Sequence, residues 1–141
     1  MKTSARNALA GVVSAIQEGQ VNAEVTLAIS EGVEIVAIIT RESVADLGLA
    51  VGGRATALIK SSLVILAPGA TPLRTSARNC LVGVVVRHET GAVNDVVAID
   101  VGRGAVITAT ITRGSGEALG LKVGETAQAL IKAPHVILAV E

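Results

Sequence analysis

Apolar and polar positions alternate cleanly over residues 21–29. Val21, Ala23, Val25, Leu27 and Ile29 fall on one face; Asn22, Glu24, Thr26 and Ala28 fall on the other. A period of two predicts a half-buried strand. Val- and Ile-rich runs predict further strands over 8–16, 33–40, 54–60 and 63–67. The first three are joined by short turns, Glu18-Gly19-Gln20 and Ser30-Glu31-Gly32, so they are expected to be hairpin neighbours. Gly11 inside the first strand predicts a bulge or tight bend, as in a curling sheet. Between the third and fourth strands the period changes. Val44 and Leu47 sit three apart and Gly48 can end a helical turn, which predicts a short helix over 42–47.

The whole pattern then occurs again. Residues 3–67 and 75–139 align without a gap, with about half the positions identical, and both begin Thr-Ser-Ala-Arg-Asn. One small unit was duplicated whole. The second copy carries Gly114-Ser115-Gly116 where its helix should begin, so that helix is expected to start later or fray. Five strands and one helix per unit, with the helix between strands three and four, predict an all-β protein. It would consist of two tandem OB-type Greek-key β-barrels, each with one short helix; a flat sandwich of hairpins is the alternative. The expected domains are 1–67 and 75–141, with a linker over 68–74. Pro68, Gly69 and Pro72 make that linker stiff, and it is short enough to hold the units in a fixed pseudo-symmetric arrangement.

Composition narrows the function. There is no Phe, Tyr or Trp, so the core must be built from Val, Ile, Leu and Ala, which bury less area per residue than aromatics. Units of this size fold only marginally alone, which points to mutual burial or oligomerisation. The 12 basic and 12 acidic residues balance. With no basic stripe and no stacking platform, nucleic acid is disfavoured as a partner. No apolar run approaches the roughly 20 residues of a membrane helix. Met1-Lys2-Thr3-Ser4 has no apolar signal core, so a cytoplasmic location is expected. Cys80 is the single cysteine and aligns with Ala8, which suits a buried small-residue slot.

An enzyme is hard to assemble from these residues, and no cofactor is expected. His88 and His135 align with Ile16 and Leu63, which predicts peripheral or half-buried positions. No carboxylate recurs: Glu18, Glu24, Glu34, Glu42 and Asp46 align with Thr90, Val96, Val106, Gly114 and Ala118. That disfavours acid–base catalysis and a hard-cation site. What recurs is a set of donors: Ser4/Ser76, Arg6/Arg78, Asn7/Asn79, Asn22/Asn94, Thr40/Thr112 and Lys60/Lys132. Donors without carboxylates suit a small oxyanion, which only accepts hydrogen bonds. Any one of them could be a rim charge or a turn cap; the set duplicated in register points to a ligand.

Thr-Ser-Ala-Arg-Asn before a strand, Gly-x-Val-Asn at the first turn (Gly19 to Asn22, Gly91 to Asn94), Ile-Thr before the helix, then Leu-Ile-Lys and Val-Ile-Leu, resemble the Mop domain. Two in tandem resemble the molbindins, a family of cytoplasmic molybdate-binding proteins. The resemblance implies an OB-type barrel, a homotrimer containing six Mop domains, and molybdate or tungstate held at interfaces between domains for storage or homeostasis. Carried over by position, the main sites are Ser4, Arg6, Thr40, Lys60 and Ser61 with Ser76, Arg78, Thr112, Lys132 and Ala133. A second type of site involves the turns at Gly19, Val21 and Asn22 and at Gly91, Val93 and Asn94. The second copy departs from the family's Val-Asn-Ala-Glu-Val with Asp95, a charge that would repel an anion if it faced the site. The competing reading is a non-catalytic assembly or regulatory module without selective oxyanion binding. Neither the helix-turn-helix of a DNA-binding Mop regulator nor a transporter's ATPase domain is read in these residues.

Overall fold

The computed structural model describes all residues from Met1 to Glu141. The first half folds as β1 (Asn7–Glu18), β2 (Asn22–Ser30), β3 (Val33–Thr40), α1 (Arg41–Asp46), β4 (Arg54–Ile59) and β5 (Ile65–Pro68). The second repeats it as β6 (Asn79–Thr90), β7 (Asn94–Gly102), β8 (Ala105–Thr112), α2 (Arg113–Leu119), β9 (Thr126–Ile131) and β10 (Ile137–Ala139). A single 3-10 turn precedes each last strand, at Ser61–Leu63 and Ala133–His135.

The two curled five-stranded sheets do not respect the repeat boundary. Their orders are β10-β4-β1-β2-β3 and β5-β9-β6-β7-β8. Each half therefore receives its fifth strand from the other. Ile137 pairs with Leu58 and Leu138 with Ala57; reciprocally, Ile65 pairs with Leu130 and Leu66 with Ala129. The sequence permits this because Val64 to Ala67 and Val136 to Ala139 are identical, so β4 and β9 meet the same side chains from either source. Chain path favours it as well. From β5 the chain crosses the short linker into β6, which lies beside β9 in the sheet that β5 has just joined.

The apolar stripes close into one core. A continuous cluster of 24 buried residues draws on both halves, with Leu27, Ile35 and Ile59 matched by Ile99, Ile107 and Ile131. The linker is fastened to this body by Gln128, which is fully buried on β9. Its Oε1 accepts from the Leu73 N–H and the Cys80 thiol, and its Nε2 donates to the Gly69 and Thr71 carbonyls. The half-buried Cys80 thus has a definite polar neighbour.

Gly11 and Gly83 are required by close approach. A Cβ on Gly11 would lie 2.6 Å from the Ala28 carbonyl oxygen, and one on Gly83 would strike that of Asp100. The register shift itself comes later, between Val13 and Ala15 and between Val85 and Arg87. Val21, expected on the buried face, is 71% exposed because it belongs to the turn before β2.

The expectation for the second helix is corrected. α2 begins at Arg113, directly after Thr112, and is one residue longer than α1. Thr112 caps it by accepting from the Ser115 N–H, and Gly120 ends it in a left-handed conformation (φ 58°). Both caps offset the poor helix propensity of Gly114 and Gly116. No helix is long and apolar enough to cross a membrane.

Candidate functional site

Two asparagines fix how the halves meet. Asn7 and Asn79 open β1 and β6 and are almost fully buried. The Asn79 side chain behaves like a strand segment laid along the edge of β3: its Oδ1 accepts from the Val36 N–H and its Nδ2 donates to the Val36 carbonyl, each at 2.8 Å. Asn7 does the same to Thr108 on β8, at 2.7 and 2.8 Å. Each Nδ2 also reaches the last carbonyl of the adjacent strand, Ile59 or Ile131. These amides are therefore consumed by backbone, and the reading of Asn7 and Asn79 as anion donors does not hold.

The clamps bring the other duplicated donors together across the halves. With Asn7 on Thr108, the chain at Arg6 enters next to β8, and the corner after Lys60 packs on the same strand. The Ser61–Leu63 turn packs on β8, and the Ser61 and Thr110 hydroxyls are 2.7 Å apart. Ser62, Thr110, Thr112 and Ser115 supply the polar lining of a cleft of about 460 Å³ between the two halves. Arg6 and Lys60 make no ion pair within the chain. On the opposite side Arg78 and the Lys132–Ala133 corner lie against β3, whose end carries Thr40. The structure thus sets the Ser61–Leu63 turn on β8, which ends at Thr112, and the Ala133–His135 turn on β3, which ends at Thr40. Ser4 and Ser76 are exposed beside these groups; the turns there are held by Thr3 and Thr75, whose hydroxyls accept from the Ala5 and Ala77 N–H groups.

The two sides differ in charge. Arg78 donates from Nη1 and Nη2 to the two carboxylate oxygens of Glu24, at 2.8 and 3.0 Å. The equivalent of Glu24 near Arg6 is Val96.

The turns at Gly19, Val21 and Asn22 and at Gly91, Val93 and Asn94 adjoin the ends of β3 and β8, with Asn22 paired to Thr40 and Asn94 to Thr112. Each is closed by a glycine N–H donating to the asparagine carbonyl, and Val21 and Val93 offer their carbonyls to Arg41 and Arg113. Val93, like Val21, is exposed (75%).

Asp95 does not face that turn. It is buried, and its Oδ2 lies 2.7 Å from His88 Nε2, while His88 Nδ1 lies 2.6 Å from the Leu121 carbonyl. Both partners accept, so the arrangement is complete only when both ring nitrogens carry protons. The hydrogen bond to Asp95, and then that to Leu121, raises the His88 pKa above the usual 6.5. Asp95 takes space that a side chain on Gly116 would need. In the first half the three positions are Ile16, Ala23 and Val44. The half-buried His88 was legible, but its partner was not. The signal was that three substitutions, each unremarkable alone, exchange three apolar side chains for a charged pair and a gap. No group of three or more His, Cys, Asp or Glu is placed to hold a metal ion.

The TOBE domain family matches residues 3–66 and 75–138. The chain is 48% identical over 139 residues to the molybdenum-pterin-binding protein MopA of Rhodobacter capsulatus, covering 99% of this chain and 52% of that protein. It is 46% identical over 141 residues to the molybdenum transport protein ModE of Herbaspirillum seropedicae, covering 100% of this chain and 52% of that one. The chain thus spans about half the length of these two relatives. Among solved structures, the cytoplasmic molybdate-binding protein ModG, crystallised with molybdate bound, superposes over 100% of both chains with a TM-score of 0.94 and 45% identity.

Proposed function

The chain belongs to the TOBE domain family, in the tandem form of the Mop proteins, and on that premise we propose that it binds molybdate, and tungstate with it, between its two halves. One site is built from Ser4, Arg6, Lys60 and Ser61 with Thr112; the other from Ser76, Arg78, Lys132 and Ala133 with Thr40. The carrying observation is the cleft between the halves where Ser62, Thr110, Thr112 and Ser115 meet, next in sequence to Lys60 and the Ser61 hydroxyl that bonds to Thr110. Hydroxyls, ammonium and guanidinium can all donate to a tetrahedral dianion, and no carboxylate lines the cleft. Such charge-assisted hydrogen bonds offset the cost of taking the dianion out of water. Phosphate, partly protonated near neutral pH, needs an acceptor that this lining supplies less well.

The role is intracellular storage or homeostasis of the oxyanion, without catalysis. The units are residues 1–67 and 75–141, joined by 68–74, each contributing its last strand to the other. Val21 and Val93 leave apolar side chains uncovered at equivalent turns, which supports assembly into a homotrimer with second-type sites at the contacts around Gly19 and Asn22 and around Gly91 and Asn94. The same exposed valines favour the second reading, an assembly module that binds no anion selectively.

Calorimetric unfolding with molybdate, tungstate, sulfate and phosphate in turn separates the two. A ligand of the native state stabilises by RT ln(1+[L]/Kd). A rise in Tm with molybdate and tungstate alone, abolished by Arg6→Ala combined with Arg78→Ala, is expected. Equal small shifts with all four anions would leave only the assembly module.

A further inference from the structure

The two sites between the halves are related by the repeat, yet their linings are not equivalent. Arg78 lies against Glu24, and the positions equivalent to Glu24 and Ile38 in the second half are Val96 and Thr110. Glu24 faces Ile38 across the β2–β3 ladder, as Val96 faces Thr110 across β7–β8. In one site a hydroxyl therefore replaces an isoleucine and an apolar side chain replaces a carboxylate. That carboxylate is engaged, because Glu24 grips the Arg78 guanidinium through both oxygens.

We propose that Glu24 is an affinity-determining latch. It occupies Arg78 in the absence of ligand, so the site on the Arg6 side fills first and the site on the Arg78 side fills only when the anion displaces a carboxylate from its arginine. The inference rests on the oxyanion reading above and assigns unequal roles to the two sites. A tetrahedral oxyanion and a carboxylate present the same bidentate acceptor edge to a guanidinium, so they compete for one fork of N–H groups. Once displaced, Glu24 is still attached to β2 and still negative, so it continues to oppose a dianion at short range. Neither cost applies at Arg6. Glu24 is part-buried (its side chain is 29% exposed) and Arg78 is 53% exposed. Solvent therefore tempers the latch, and its effect is one of graded affinity.

The test is titration calorimetry of the full chain with sodium molybdate, using the unsubstituted protein, Glu24→Val, Val96→Glu and Arg78→Ala. The unsubstituted protein should show two affinity classes of inter-half site. Glu24→Val, which copies the other half, should tighten the weaker class by about five- to tenfold and leave the tighter one unchanged. Val96→Glu should weaken the tighter class by a similar factor, and Arg78→Ala should remove the class that Glu24→Val tightens. A weaker class unmoved by Glu24→Val, or one that survives Arg78→Ala, overturns the latch while leaving molybdate binding intact. No molybdate heat from the unsubstituted protein overturns the functional reading itself. Unfolding curves without anion control for folding; if Val96→Glu is unstable, the Glu24→Val result decides alone.

Discussion

Replacing Asn79 by alanine removes three hydrogen bonds at one stroke. Two go to the edge of β3 at 2.8 Å and one to the Ile131 carbonyl at 3.2 Å. Asn79 is 3% exposed, so the partners it leaves are poorly placed to find water. At about 1 kcal/mol net per bond, and more where a buried partner stays unsatisfied, the loss is about 3–4 kcal/mol. For a chain of this length that lowers Tm by roughly 10 °C. Urea unfolding followed by far-ultraviolet circular dichroism measures it directly. The midpoint should fall while the transition stays single, because the halves share a core and exchange strands. Asn79→Asp should be at least as damaging, since it sets a carboxylate oxygen against the Val36 and Ile131 carbonyls. A loss below about 1 kcal/mol for Asn79→Ala would refute the clamp. Two resolved transitions would refute the shared core.

The His88–Asp95 pair makes stability depend on pH. Because the folded-state pKa of His88 is raised, its contribution is complete below about 6.5 and is lost as pH rises through the folded value. The urea midpoint should therefore decline from pH 6 towards 9, and His88→Gln should flatten that slope. Gly116→Ala should destabilise by about 2 kcal/mol or more, since its Cβ would collide with the Asp95 carboxylate. Gly114→Ala, with nothing within 4 Å of the new Cβ, should stabilise by about 0.5–1 kcal/mol in the same unfolding assay. Gln128→Ala should free the linker, read as faster proteolytic cleavage within residues 69–73.

Local pattern carried most of the fold. Residues 33–40 coincide with β3, and the Val44–Leu47 spacing located α1 to within a residue. The strand exchange was not legible, because identical segments at 64–67 and 136–139 make both pairings equal in sequence; chain path decides between them. α2 was underestimated because propensity was weighed without its caps and without Asp95 beneath it. The candidate site was read from the sequence as a set of donors, because duplication in register singles out polar positions. It was not legible which donors the backbone would consume, or that the corner after Lys60 packs on the strand ending at Thr112 and the corner after Lys132 on the strand ending at Thr40. Both follow from the clamp at Thr108 and Val36, a contact between halves that no local pattern encodes.

The linker has a consequence for how this molecule could change over time. Two separate copies that exchange strands would meet only as often as their concentration allows; joined by the short linker, they meet at an effective concentration of order millimolar or above. Covalent joining also relaxes the constraint of symmetry. In a pair of identical chains every substitution appears on both sides, so a half-buried histidine and its buried aspartate would be introduced twice, and a carboxylate beside one arginine would stand beside the other. In the fused chain the first half keeps Ile16, Ala23 and Val44 while the second carries His88, Asp95 and Gly116, and Glu24 stands opposite Val96. Duplication thus turned a symmetric assembly into one whose two faces can be tuned separately.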